Sequence, residues 1–350
     1  MAYCHDHLLV EPGGYLTSEG LPATPQYNVC WGIPYRWQLM NRITRNWREP
    51  GPWLALAAII AAYFLQDPVE HAVWSPLQRL AGLSLFSHGQ MSLLNYGGLM
   101  VFRLIWNGLL VAAIWMLLGR PYDGFPLKDR TVSRHFTIGL LIGLLVMVLA
   151  ILSIAELGDA TIFTSGQSSV SALVYGSGWL AFDAVGALGE ELYGRAAILL
   201  VAERFVGWKG AIVISGLMFS LVHLGNPGAS AIWLVRLAAQ GALLAYAVYR
   251  TRSLWWSVGY HTGWNWASAP LFGAAGSGYL DEGHLFNFNP HGSAWITGGT
   301  VGPEGSVLAF LAVIMAMALL LIATKNRRTE ASSFDKSRQS TCKPERPTIS

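Results

Sequence analysis

The stretch Phe136–Ile154, FTIGLLIGLLVMVLAILSI, holds no charged side chain. At ~1.5 Å of rise per residue it is long enough to cross the ~30 Å hydrocarbon core of a bilayer, so it reads as a membrane-spanning helix. The same test carried outward in both directions marks about eight apolar segments. They lie near Trp53–Leu65, Tyr96–Leu118, Phe136–Ile154, Val170–Phe205, Ala211–Leu224, Ala231–Val248, Leu254–Phe272 and Val307–Thr324. The first is short, and the fourth is too long for one straight span. It predicts a steeply tilted helix, or an interfacial helix joined to a span. The fold class expected is an all-α polytopic membrane protein, a bundle of about eight transmembrane helices with its active site in the bundle interior.

Composition agrees. Of 350 residues, 53% are hydrophobic and only 12% are charged, about half the ~25% of an average soluble domain, and the mean hydropathy is +0.40. Trp collects at membrane interfaces and Gly is commoner in transmembrane helices than in soluble ones; the chain has 15 Trp and 38 Gly. A single-pass receptor, a disulfide scaffold and a disordered chain are excluded. The net charge of +3 is too small for a nucleic-acid surface. Cys4, Cys30 and Cys342 match neither a metal spacing nor a paired framework.

Cytoplasmic loops carry the excess of Lys and Arg, and here every second connection is positive. Arg36, Arg42, Arg45 and Arg48 precede the first span; Arg120, Lys128, Arg130 and Arg134 follow the second; Arg204 and Lys209 the fourth; Arg250 and Arg252 the sixth; Lys325, Arg327 and Arg328 the last. The alternate loops hold only Arg79. Both termini are therefore expected in the cytoplasm. The organisation expected is a cytoplasmic N-terminal segment over 1–52 without a cleavable signal peptide, a helical membrane domain over 53–324, and a disordered cytoplasmic tail over 325–350.

Ionisable residues inside spans are costly, so each is a functional hypothesis. Arg103, Asp183, Glu190, Glu191, Arg195, His223, Arg236 and His261 fall there, with Asn265 as a polar companion. Adjacent helical residues point ~100° apart, so Glu190 and Glu191 cannot share one environment. Glu191 and Arg195 are i,i+4, which puts a carboxylate and a guanidinium on one face as a structural pair and leaves Glu190 free as a general base. His261 and Asn265 are also i,i+4 and share a face, where both could donate to one ligand oxygen. The bland readings stand beside these. A lone intramembrane His is most often a helix–helix hydrogen-bonding residue, and Arg103 and Arg236 read as glue to a carbonyl or carboxylate. Asp183 could line the cavity or cap an interfacial helix. Trp255–Trp256 reads as an interface anchor, and Gly225-Asn226-Pro227-Gly228 as a turn closing the fifth helix.

Taken in order on successive apolar helices, Glu190-Glu191-x-x-x-Arg195, Phe219-x-x-x-His223 and His261-x-x-x-Asn265 resemble the three motifs of the CAAX-protease and bacteriocin-processing (CPBP, or Abi) family of intramembrane proteases, which includes the type II CAAX prenyl endopeptidases. The resemblance covers about 170–310, and the Gly225–Ser230 stretch is similar to bacterial members, which implies the bacterial plasma (inner) membrane. It implies an intramembrane endopeptidase acting on a membrane-embedded or lipidated peptide or protein. Glu190 and His223 would activate a water, with His261 and Asn265 as the oxyanion site; Glu191, Arg195 and Phe219 would support them. Members have been labelled metalloproteases. If a divalent metal such as zinc were bound, Glu190, His223 and His261 would be its ligands, but no His-Glu-x-x-His is present and a metal-free route is favoured. A serine route through Gly176-Ser177-Gly178 is weaker. The alternative class is a non-proteolytic membrane scaffold or a transporter using the same polar cluster, and no internal repeat supports the latter.

Overall fold

A computed structural model describes residues 49–84, 86–87, 89–119, 127 and 131–325. Nearly all of the expected N-terminal segment, the tail beyond Lys325, and Arg120, Lys128 and Arg130 of the second positive loop lie outside the described residues. Eight helices dominate the rest: α1 Pro50–Leu80, α2 Leu93–Leu117, α3 Val132–Glu156, α4 Ser169–Glu191, α5 Leu199–Leu221, α6 Ala231–Thr251, α7 Trp255–Trp266 and α8 Val307–Ala323. Two short two-stranded antiparallel sheets lie between helices. β1 Phe86–Ser87 pairs with β2 Gln90–Met91, and β3 Ala160–Thr164 with β4 Phe286–Pro290 in the register Ala160↔Pro290 to Thr164↔Phe286.

By length and composition α1, α2, α3 and α6 can each cross a membrane, and α8 is a shorter apolar helix. The other three are the ones the polar motifs dilute or interrupt. α1 buries only Ala55 and Ile59 and leaves Phe64, Leu65 and Ile60 exposed, as expected where lipid rather than protein covers the outer face. It is longer than the apolar segment Trp53–Leu65, running on through Pro68 and Pro76.

The long fourth segment is resolved in a way its length alone did not indicate. α4 continues without a break into a π-helical turn, Leu192–Ile198, and on into α5. The chain turns at Gly207, whose φ of 73° lies in the left-handed region that glycine adopts without a Cβ penalty. It then doubles back, so that Ser215 Oγ donates to Gly194 O at 2.9 Å. The fourth and fifth segments are thus two arms of one helical hairpin, with Arg204 and Lys209 flanking its turn.

Two pairs of glycines set how closely the central helices approach. On α3, a Cβ at Gly139 or Gly143 would run into the backbone of α7 at Trp256 and Tyr260; on α7, one at Gly259 or Gly263 would run into α3 at Phe136 and Leu140. The backbones therefore touch along two turns, the close approach that small residues permit where lipid offers no hydrophobic drive for helix association. Between the glycines, Trp256, Tyr260 and Trp264 stack in sequence, centroids 5.5 and 5.9 Å apart. Trp256 is fully buried in the core. This corrects its reading as an interface anchor: the α3 contact, invisible in a local window, closes over it.

Overpacking an interior usually costs about 1–3 kcal/mol, and backbone against backbone offers no side chain to give way. Gly263→Ala should lower both the yield of folded protein and its thermal midpoint in detergent. Gly108→Ala on α2, where an added Cβ meets nothing, should leave both unchanged.

Candidate active site

The motif residues meet where the end of α4, the π-helical turn, the end of α5 and the middle of α7 converge. Glu190 and Glu191 are the last two residues of α4, and the π turn that follows is the kind of local insertion often found at functional sites. α2 holds this point from the other side: Asn107 Nδ2 donates to Gly189 O at 3.1 Å.

Glu191 and Arg195 have no exposed side-chain surface, and Arg195 Nη1 lies 3.1 Å from Glu191 Oε1. The pair read from the i,i+4 spacing is present, but it is not closed on itself. The same Oε1 accepts from His261 Nδ1 at 3.0 Å. A carboxylate accepts only, so the proton on that bond belongs to His261, and the direction of its other nitrogen is fixed. None of the Arg195 N–H groups meets an acceptor in good hydrogen-bond geometry among the described residues. Its guanidinium lies instead over the Phe219 ring, 4.3 Å from the centroid, a cation–π contact strengthened by exclusion of water.

Phe219 is the centre of the packing. Its ring meets His223 edge-on at 4.9 Å and His261 at 5.7 Å, and its carbonyl accepts from His223 Nδ1 at 2.7 Å. That bond leaves His223 Nε2 as an acceptor, 3.9 Å from Glu190 Oε2. His261 Nε2 lies 3.8 Å from the same oxygen. Glu190 is therefore the carboxylate faced by both imidazoles, with its side chain 43% exposed where Glu191 is sealed. Gaps of nearly 4 Å are too long for direct hydrogen bonds and are of the size that a bridging water fills.

Asn265 follows one turn after His261 and is half-buried. It shares the His261 face, but no hydrogen bond joins its amide to Glu190, His223 or His261. Asp183 does not cap a helix. It is buried mid-way along α4 with Tyr96 OH 3.5 Å from Oδ1. Arg103 and Arg236 are both ion-paired, to Glu70 at 2.9 Å and to Glu304 at 3.0 Å. Ser177 gives its hydroxyl to Leu173 O at 2.6 Å, within its own helix.

Glu304 was not legible as a site residue, because it lies in a loop among glycines. It is almost fully buried and accepts from Arg236, from Trp233 Nε1 and Trp264 Nε1 at 3.3 and 3.2 Å, and from Ser277 at 3.0 Å. Trp233 in turn meets the His223 ring edge-on at 6.0 Å. The long loop after α7 is thereby fastened to α6 behind His223, and Asn226 of the predicted turn joins it through Ser277 O at 3.0 Å.

Among the described residues no three His, Cys, Asp or Glu side chains are arranged to hold a metal ion.

A carboxylate and two imidazoles thus converge inside a bundle whose apolar helices are long enough to cross a membrane. Over residues 172–267 the chain matches the family model of the Type II CAAX prenyl endopeptidase Rce1-like proteins. This is the family that its motifs resemble, and the matched span contains all three. No curated protein and no solved structure matches the chain.

Removing one partner of a buried ion pair costs about 3–5 kcal/mol. Arg195→Ala should therefore abolish folded yield, while the double variant Glu191→Leu with Arg195→Leu should recover much of it. Normal yield for Arg195→Ala alone would show that the pair carries no structural load.

Proposed function

We propose that this protein is an intramembrane endopeptidase that hydrolyses a peptide bond of a membrane-associated protein or peptide, by water activation and without a covalent intermediate. The observation that supports this most is the arrangement around Glu190 Oε2, with His223 Nε2 at 3.9 Å and His261 Nε2 at 3.8 Å. A water seated there would donate one hydrogen to Glu190 and the other to His223, which leaves its lone pair directed at the scissile carbonyl. Glu190 takes the proton as the water oxygen bonds to carbon. The carbonyl oxygen then carries the negative charge, and His261 Nε2–H and the Asn265 amide stabilise it. One such preorganised donor is worth ~2.7–4 kcal/mol in other enzymes.

With Nδ1–H committed to Glu191, His261 can donate from Nε2 only when its ring carries two protons. Its position between the Glu190 and Glu191 carboxylates offsets that charge. As the intermediate collapses, the C–N bond breaks and the proton held by Glu190 passes to the leaving amine, which restores the carboxylate. Asn265, unengaged in the resting structure, would turn toward the oxyanion only when substrate is present. The family match supports a membrane-tethered chain as the substrate, such as a prenylated protein terminus. The setting proposed is the bacterial inner membrane, from the likeness of Gly225–Ser230 to bacterial members, with both termini cytoplasmic on the strength of the alternating Lys and Arg loops.

Glu190→Gln removes the base and keeps the shape. It should reduce cleavage of a prenylated or otherwise membrane-anchored peptide by at least about a hundredfold, with unchanged yield and thermal midpoint. Full activity in Glu190→Gln would overturn the assignment. Prolonged treatment with EDTA or 1,10-phenanthroline should leave wild-type turnover unchanged; loss of turnover restored by zinc would contradict the metal-free route.

A further inference from the structure

Arg103 lies near the middle of α2, a helix long and apolar enough to cross the membrane. A cation at that depth is costly, and needs either full pairing or a role. Its pairing is partial. Nε donates to Glu70 Oε2 at 2.9 Å, and Glu70 belongs to α1, the helix least buried against the rest. The two outer nitrogens, Nη1 and Nη2, have no hydrogen-bond partner among the described residues, and the side chain is 37% exposed. A guanidinium held by Nε alone keeps its fork open, the geometry that takes a second carboxylate through two parallel N–H···O bonds.

The α2 backbone that carries this open fork packs against the chain just before the proposed base. A Cβ added to Gly189 would lie 3.4 Å from Leu104 Cα and 3.7 Å from the Arg103 carbonyl carbon, so the α2 backbone at Arg103 and Leu104 packs against the residue directly before Glu190. An extended peptide advances ~3.3 Å per residue. A carboxylate two or three residues past the bond being cut therefore stands ~7–10 Å from the scissile carbonyl, a span that the Arg103 side chain, rooted on α2 opposite Gly189, can cover. Lipid headgroup phosphates lie at the membrane surface and not at the middle of a span.

Building on the peptidase reading, we propose that the outer guanidinium nitrogens of Arg103 form a substrate subsite that binds a carboxylate of the peptide close to the bond being cut. Two sources have this chemistry, the free C-terminus and an Asp or Glu side chain. The subsite orients the chain past Glu190, so it sets which bond is presented. Arg103 is a specificity-determining residue and takes no part in the proton transfers.

The test measures binding in Glu190→Gln protein in nanodiscs, so that it does not depend on turnover. The probes are three fluorescent peptides of one sequence, each with an acyl anchor: one with a free C-terminus and no acidic side chain, one with that terminus amidated, and one amidated with a single Glu. Adding Arg103→Gln should weaken at least one carboxylate-bearing peptide by about tenfold or more and leave the amidated, acid-free peptide unchanged. The peptide affected identifies the source. Glu70→Gln cuts the tie to α1 but keeps the guanidinium, and should preserve the preference for the carboxylate. Equal losses for all three peptides, no loss for any, or no binding to any would overturn the proposal, as would Glu70→Gln reproducing the Arg103→Gln pattern. If the preference holds while wild type cleaves none of the peptides, the hydrolase reading falls and the carboxylate subsite stands.

Discussion

Glu191 has no exposed surface, and a charge there is tolerable only because two cationic or donating groups reach one of its oxygens, Arg195 Nη1 at 3.1 Å and His261 Nδ1 at 3.0 Å. An unpaired buried carboxylate would carry a desolvation cost of several kcal/mol. Its partners sit on two different elements, the π-helical turn and α7, so satisfying Glu191 locks those elements at one separation and orientation. The neighbouring Glu190, about 100° around the helix, is then turned toward the two Nε2 atoms instead of toward Arg195. The exposed carboxylate of Glu190 and the sealed anchor of Glu191 are consequences of the same helical step.

The frame around that anchor is backbone contact and aromatic packing. Gly139 and Gly143 against Gly259 and Gly263 bring α3 and α7 together until their main chains touch, and His261 lies between the two α7 glycines. Across the site, Gly216 and Gly241 do the same for α5 and α6, which seats Phe219 and His223. Phe219 then links the two halves: its ring lies under the Arg195 guanidinium and against both imidazoles, and its carbonyl fixes the His223 tautomer. Glu304 closes the remaining side by tying the loop after α7 to Trp233 and Arg236. Few of these interactions touch the atoms proposed to react, yet each narrows where those atoms can stand.

Much of this was legible in the sequence because membranes simplify the reading. Hydrocarbon penalises every misplaced charge, so Glu190, Glu191, Arg195, His223 and His261 stood out as exceptions. Helical periodicity then gave the Glu191–Arg195 pair and the shared face of His261 and Asn265. Non-local geometry was not legible. The second bond of Glu191 to His261 spans elements far apart in the chain, and Glu304 lies in a loop where an acidic residue is unremarkable. Trp256 looked like an interface anchor because its burial comes from α3. The turn at Gly207 falls in the gap the apolar pattern left between Phe205 and Ala211, but the π-helical turn at Leu192–Ile198 has no signature in that pattern. Arg103 was read as glue, and Glu70 bears that out for Nε, though not for the rest of its guanidinium.

In the proposed reaction Glu190 directs a water at the peptide bond. Single-turnover cleavage of an anchored peptide in H2(18)O, followed by mass spectrometry of product and protein, tests it most directly. The account predicts one solvent oxygen in the new carboxylate of the product, and neither label nor acyl adduct on the Glu190 peptide. An acylated or labelled Glu190, or a product whose new carboxylate lacks solvent oxygen, would contradict it.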